Sequence, residues 1–360
     1  MEKGRISALQ MAILMYPTIL ATAILTLPAT TAAYADRDMW LSPFWGSLAG
    51  FLAVYNAYKL NTLYRKETLI QYSQHIIGFI PGKVLGFFYI FYFLHNESLV
   101  VKQYGDFVAG IFLPETPMIV VNIAMVVVCG FAVRGGLETV ARTAQIFIPV
   151  SFLLWIIVII LLIPELELTN MLPIMENGIM PSIKGAYILQ SWFSLFIMVA
   201  FLLPFLKNHK KGLKWGMYSV TGVLFTMVIT NLATLLIFGN MTSNFLYPVM
   251  DAARYVSLAD FLQHIEALVM AIWVSGTFIK ITVFYYVVVL GTAHWLKLSD
   301  YRPIVLPIGF LIAVFTVWTP GMQVVSQYFA TTSIIYSVLF QTILPLLLLI
   351  VAVFRVPSKS

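Results

Sequence analysis

Ten apolar stretches, each 17 residues or longer, divide this chain of 360 residues, near 9–34, 43–63, 84–111, 118–134, 144–163, 186–206, 215–238, 261–292, 303–319 and 333–354. About 20 apolar residues wound as a helix cross roughly 30 Å of hydrocarbon. In that medium every backbone amide and carbonyl must find its partner within the protein, which leaves helices as the solution for such runs. Only 10% of the residues are charged, against roughly 25% in a soluble domain, so most of the surface faces lipid. The expected fold class is an all-α membrane protein of about ten transmembrane helices forming a single integral membrane domain over 1–360.

The loops fix the orientation. Alternate connections, counted from the N-terminus with Lys3 and Arg5, hold 16 of the 21 basic residues, including Lys59, Arg65, Lys66 and Lys83 after the second run and Lys207, Lys210, Lys211 and Lys214 after the sixth. The opposite side holds Arg37, Lys102, Lys184 and Arg254, and Lys280 falls inside a run. Positive residues mark the cytoplasm, so both termini are expected there. Lys3 and Arg5 before an apolar stretch, with Ala32, Ala33 and Ala35 behind it, have the outline of a signal peptide. The nine runs that follow favour an uncleaved first helix. Glu67–Ile77 is expected to form a short cytoplasmic helix ended by Gly78 and Pro81. The stretches 164–184 and 239–260 are long outer loops, of the kind that serve as lids, partner contacts or plain connectors.

The net charge of +6 is scattered over these short loops with no continuous basic stripe, which sets nucleic acid aside. Cys129, the single cysteine, lies in an apolar run and excludes an intrachain disulfide or a cysteine-built zinc site. No HExxH, GxSxG or P-loop occurs, and the five histidines are scattered. A non-enzymatic protein without metal or cofactor is expected.

Within the first run stands Leu20-Ala-Thr-Ala-Ile-Leu-Thr-Leu-Pro28. Pro28 cannot donate an amide proton and its ring crowds the carbonyl of Ile24. Thr22 and Thr26 can compensate freed backbone groups, and an ordinary proline kink explains the motif as well as a functional break does. Splitting the chain after five crossings gives halves, about 1–163 and 186–360 with the outer loop 164–185 between, that enter the membrane from opposite sides. Many secondary transporters are built so, with broken helices meeting at the midplane. In that 5+5 inverted-repeat arrangement helix 1 is the partner of helix 6, whose Gln190-Ser-Trp-Phe-Ser194 is expected to mark a second interruption.

The run Ala23-Ile-Leu-Thr-Leu-Pro28 resembles the first-helix motif of the B subunits of spore germinant receptors, in the spore-permease branch of the amino acid–polyamine–organocation transporter superfamily. Lys102-Gln-Tyr-Gly-Asp-Phe107 with Phe112-Leu-Pro-Glu-Thr-Pro117 is similar to that family's third helix and the turn after it. Leu172-Pro-Ile-Met-Glu-Asn-Gly178 is similar to its outer loop, and His264-Ile-Glu266 with Trp273 and Lys280 to its eighth helix. The resemblance implies a nutrient sensor in the spore inner membrane, binding a small molecule such as an amino acid and working with an A subunit and a lipoprotein C subunit. It also places a ligand pocket between helix 1 and helices 3, 6 and 8, with Ala21, Ala23, Tyr92, Asn96 and Leu195 at pocket positions. Two departures stand out: Ala21 and Ala23 replace frequent glycines, and Leu195–Leu203 is apolar where relatives often carry a glutamate.

An amino acid brings a carboxylate and an ammonium, which backbone groups at a helix break can satisfy. Ala21, Thr22, Ala23, Ile24 and Leu25 surround the expected break, with Ile24–Leu27 supplying those groups, and Tyr92, Asn96, Trp192 and Leu195 meet the ligand side chain. Tyr92 and Asn96, four apart, share one helix face, a spacing that plain packing also produces. Glu97 and Lys280 each lie 14 residues, roughly 20 Å, from a cytoplasmic helix end. An isolated charge at that depth costs at least ~2.5 kcal/mol. Lys280 is therefore expected to be tied to an internal acid or carbonyl, with Glu97 the first candidate, as a coupling cation or as a structural ion pair. Glu266 with His264 reads as a solvated pair or subunit contact. A germinant receptor and a proton-coupled amino acid transporter both need such a pocket, and the sequence does not choose between them.

Overall fold

The computed structural model describes residues 2–255, 266–318, 328 and 331–355, which form helices and, apart from one isolated bridge, no strand. Helix α1 (Ala8–Ala35) starts at a capping box: Gln10 N–H donates to Ser7 Oγ (3.1 Å) and Ser7 N–H to Gln10 Oε1 (2.7 Å). After α2 (Ser42–Leu63), the short α3 (Leu69–Ile77) meets α4 (Phe79–Ile111) at Gly78, whose φ of 99° an L side chain resists. Gly136, φ 93°, makes the same corner between α5 (Met118–Gly135) and α6 (Leu137–Leu162).

The sixth crossing is interrupted. Helix α7 (Met180–Phe193) tightens into a 3-10 turn over Ser194–Met198, resumes for one turn as α8 (Val199–Leu202), and ends in a second 3-10 turn, Leu203–Phe205. Then follow α9 (Gly212–Phe238), the short α10 (Pro248–Tyr255), α11 (Glu266–Leu296) and α12 (Val305–Trp318). The last crossing joins α13 (Thr332–Ser337) to α14 (Leu344–Arg355) through a π-helical turn, Val338–Ile343.

Eight of the described helical segments are long and apolar enough to cross a membrane on those grounds alone. Two further crossings are α2 and α12. Helix α2 is less apolar, with Asn56 and Asn61 buried in it, but its 22 residues rise about 33 Å. Ser42 at its start donates to Ser182 O (2.8 Å), and Asn61 near its end meets His209 Nε2 (2.5 Å). The packing confirms the alternation. Residue 6 pairs with 206, Glu2 reaches Leu137 and Tyr301, Thr68 reaches His294, and Trp295 reaches Lys83, so one end of the bundle gathers the N-terminus and every second connection. The opposite end gathers the others: Asp38 accepts from Met175 N–H (2.9 Å), and Arg37 donates to Asn240 Oδ1 (3.1 Å) and to Leu172 O.

Helix α1 and the segment Met180–Phe205 are the most enclosed of the long helices, while α6 and the last crossing are the least. α1 packs against α6, α7, α9 and α11, so both halves of the chain share one hydrophobic core. Small residues permit the closest approaches. A Cβ on Gly309 would stand 2.1 Å from the Tyr285 hydroxyl, which donates to Val305 O (2.6 Å).

Several expectations change. α1 runs through Pro17 and Pro28 without a break. Thr26 and Thr30 bond back to Thr22 O (3.2 Å) and Leu27 O (3.2 Å), which braces the turns on both sides of Pro28. α4 begins five residues before 84, with Pro81 inside its first turn, and α7 begins six residues before 186, with Pro181 its second residue. The expected starts and ends at 261–265, 319 and Asp260, and the residues His264 and Lys359, lie outside the described residues.

Candidate ligand site at the centre of the bundle

The Thr22 hydroxyl is a junction of three helices. Lys280 Nζ of α11 donates to it at 2.8 Å, and Trp192 Nε1 of α7, two residues before the 3-10 turn, donates at 3.1 Å. Those two bonds fill the oxygen's lone pairs. The hydroxyl proton is then left to be donated, and the ammonium of Lys280, fully buried and with no other hydrogen bond among the described residues, keeps two further N–H donors. The same nitrogen stands 5.8 Å from the Phe284 ring centroid.

A second polar group closes the other side. Gln341, in the π-helical turn, donates from Nε2 to the Tyr92 hydroxyl (2.5 Å) and accepts at Oε1 from Ser194 Oγ in the helix 6 interruption. Ser337, one turn earlier, donates to Ser191 Oγ (2.9 Å). Phe340 stacks on Tyr92 with centroids 4.7 Å apart, and Asn96 Nδ2 bonds back to Tyr92 O (2.8 Å). Both irregular turns, 3-10 in helix 6 and π in the last crossing, thus face each other across one cavity, as irregular helix turns commonly do at functional sites. The cavity is lined by Thr22, Tyr92, Asn96, Trp192, Leu195 and Lys280 together with Gln103, Ser333, Ser337 and Gln341. Its volume of about 30 Å³ holds a water or two and no amino acid, so the site is closed.

Of the residues singled out in the sequence, Thr22, Tyr92, Asn96, Trp192 and Leu195 therefore meet around Lys280. The others do not. Ala21 packs toward Gly276 and shares with Ile24 a separate apolar crevice bordered by Trp155 and Trp273, Ala23 is sealed in the core, and Leu25 lies in the cluster around Trp273 and Val269. Because α1 is continuous, Ile24–Leu27 present no freed backbone amides, and side-chain donors take that role. Gln341, Ser337 and Ser333 were missed. Their signal was a stripe of polar side chains spaced by four in an otherwise apolar run, hence on one helix face.

Glu97 is fully buried, and neither carboxylate oxygen has a hydrogen-bond partner among the described residues. It lies close enough to Lys280 to interact electrostatically, but the two form no ion pair. The lysine turns to the α1 hydroxyl, while the carboxylate shares its surroundings with Cys129 and Tyr285. Glu266 pairs with Arg254 (3.6 Å).

An aromatic cluster lies toward one end of the bundle and a strap crosses the other. Toward the far end, Phe107 tilts against Trp273 and meets Tyr247 edge to face, with centroids 4.3 and 5.2 Å apart, in the apolar cluster that α10 joins. At the N-terminal end residues 2–7 form a strap. Glu2 Oε2 accepts from Leu137 N–H (3.0 Å), Tyr301 OH (3.1 Å) and Tyr286 OH (3.4 Å), and Arg5 donates to Pro204 O (3.2 Å). Burial and the adjoining Glu2 carboxylate push the Tyr301 phenol up, keeping it a proton donor.

A family model described as spore germination protein matches residues 5–324. Spore germination protein KB of Bacillus subtilis (strain 168) is 25% identical over 364 residues, covering 99% of this chain and 96% of its own. Spore germination protein YndE of the same organism is 26% identical over 82% of each chain, and spore germination protein XB of Bacillus anthracis is 27% identical over 69% of this chain and 70% of its own. Among solved structures, a substrate-bound, outward-open Na+-coupled sialic acid symporter superposes with a TM-score of 0.67 at 10% identity, covering 94% of this chain and 80% of the other. The nucleobase-cation-symport-1 family transporter MHP1, closed with bromovinylhydantoin bound, superposes with a TM-score of 0.57 at 11% identity, covering 94% and 78%. At those identities the likeness is one of fold: a transporter architecture.

Proposed function

The chain belongs to the spore permease family of spore germination proteins, and from that premise we propose that it senses a small nutrient of the amino acid class at the Thr22–Trp192–Lys280 cavity. One observation carries the reading: three helices converge on one buried hydroxyl, next to an ammonium with donors to spare. A ligand carboxylate fits the Lys280 and Thr22 donors, and its ammonium fits the Tyr92, Gln341 and Asn96 side-chain oxygens. Admitting it requires the cavity to expand, which moves α1, α7 and α11 relative to one another. That movement is the signal, passed to A and C receptor subunits. The protein then acts as one membrane domain of two inverted halves in the spore inner membrane, both termini cytoplasmic, and without enzymatic activity.

The transporter architecture and the buried, unpaired Glu97 support a second reading, a proton-coupled amino acid transporter. Uptake of labelled amino acids by the chain alone in vesicles under a proton gradient separates the two. A sensor binds without accumulating label, and a deletion strain stops germinating in response to particular nutrients. Accumulation against the gradient sinks the sensor reading. Lys280→Met is expected to reach the membrane folded and to lose the nutrient response; loss of the protein itself assigns the lysine a structural role.

A further inference from the structure

Two lysines distant in sequence converge on one aromatic ring at the N-terminal end of the bundle. Lys83 Nζ lies 5.6 Å from the Phe79 centroid and 4.8 Å from that of Trp295, and Lys297 Nζ lies 4.9 Å from the same Phe79 ring. Lys83 over Phe79 is a pair four residues apart on one helix, as are Lys59 over Tyr55 and Lys214 over Tyr218. What sets the Phe79 corner apart is tertiary: Lys83 also reaches Trp295, and Lys297 reaches Phe79 from beyond the end of α11. Trp295 Nε1 donates to Lys83 O (2.8 Å), tying α11 to α4. Lys297 is held at φ 58°, a left-handed backbone that a lysine adopts against its preference.

Like charges drawn to one ring repel each other, and an anion shared by both relieves that repulsion. Neither lysine has an acidic partner among the described residues. The first turn of α4 adds to the same field, since no side chain caps it and its dipole points its positive end there. Beside the lysines, Phe79 is 55% exposed, Ile80 73% and Val84 52%, with Phe87 and Phe88 half exposed one turn on. This is an apolar flank of the kind that lipid chains cover in a membrane-spanning protein. Positive charge without a counter-ion, next to a greasy wall, is the profile of a headgroup with acyl chains attached.

We propose that Lys83, Lys297 and the first turn of α4 form a binding site for the phosphate headgroup of an anionic bilayer phospholipid, whose chains lie along Val84, Phe87 and Phe88. The lipid clamps α4 to the end of α11, the two helices that carry Tyr92 and Lys280.

The test uses the full chain in nanodiscs of phosphatidylcholine containing phosphatidylglycerol, with retained lipid counted by native mass spectrometry. Wild type retains phosphatidylglycerol in preference to phosphatidylcholine by about thirtyfold, and K83Q/K297Q loses that preference, about fivefold per lysine. The control K59Q/K214Q keeps it. Equal retention by K83Q/K297Q and wild type overturns the proposal, as does an equal loss in the control, which assigns the effect to diffuse charge. Complete displacement by millimolar inorganic phosphate also overturns it. Should K83Q/K297Q fail to fold, the wild-type chain decides, because equal retention of the two lipids sinks the site.

Discussion

Replacing Thr22 by valine keeps the shape of the side chain and deletes only the oxygen on which α1, α7 and α11 converge. Two hydrogen bonds go at once, that of Trp192 Nε1 at 3.1 Å and that of Lys280 Nζ at 2.8 Å. A neutral bond contributes about 0.5–1.5 kcal/mol and one to a charged group about 1.5–3, so the pair amounts to about 2–4.5 kcal/mol. All three side chains are more than nine-tenths buried, and solvent screening takes little from that figure. The hydroxyl and the ammonium it holds both face the ligand carboxylate, so the loss falls on binding, where about 1.4 kcal/mol is tenfold. The nutrient concentration for half-maximal germination is expected to rise at least about 30-fold in T22V and to stay within about threefold of wild type in T22S, which restores the oxygen. Germination is followed by the fall in optical density of spores exposed to single L-amino acids, and protein level by immunoblot of the inner membrane. Normal sensitivity in T22V at normal protein level refutes the carboxylate site, since the ligand would then bind without the donors that Thr22 orients. Equal loss in T22S and T22V refutes the hydrogen-bond argument and leaves packing.

Two further outcomes follow from the N-terminal end of the bundle. Glu2→Gln removes the charge on which Leu137 N–H, Tyr301 and Tyr286 converge. Thiol labelling of a cysteine placed at Ser299, beside the strap, is expected to speed up at least about threefold, a modest figure because the site is partly open to water; an unchanged rate shows that the strap is not a latch. His209 is held below its ordinary pKa by burial and by the Arg65 charge, stacks on Tyr58 at 5.0 Å and bonds to Asn61. A depressed histidine contributes stability that is complete above about pH 6.5 and lost as the pH falls toward the folded-state value. Protection of the amides over 205–212, measured against their intrinsic exchange rate at each pH, is therefore expected to fall between pH 7 and pH 5 in wild type and to respond less in H209Q; parallel profiles in the two proteins remove His209 as the cause.

What the sequence yielded and what it hid have one physical division. Hydrocarbon imposes a length and a polarity on each crossing, and basic residues mark alternate connections, so the ten crossings and their parity could be read directly. The pairing of residue 6 with 206 and of Glu2 with Leu137 and Tyr301 bears that parity out. Proline is ambiguous for one reason. The short helix does end before Gly78 and Pro81, as expected, yet Pro81, like Pro181 in the stretch expected as outer loop, lies in the first turn of the next helix, where the amide it lacks would have had no partner. Pro28 lies in a helix interior, where threonine hydroxyls brace the turns beside it. Proline thus tells only that an amide is missing; whether the helix breaks depends on who else serves the carbonyls. Lys280 was legible because a charge inside an apolar run demands a partner. The partner was not, because nearness in space between α1, α4 and α11 leaves no periodicity in the chain, and a threonine hydroxyl competes with Glu97 for the lysine only through the angle at which the helices meet. Gln341 shows the same limit at longer range: 249 residues separate it from Tyr92, and the π-helical turn that carries it is not written in the hydrophobic pattern. Chemistry that one helix carries is written in its own residues, whereas chemistry assembled by three helices is written in their packing.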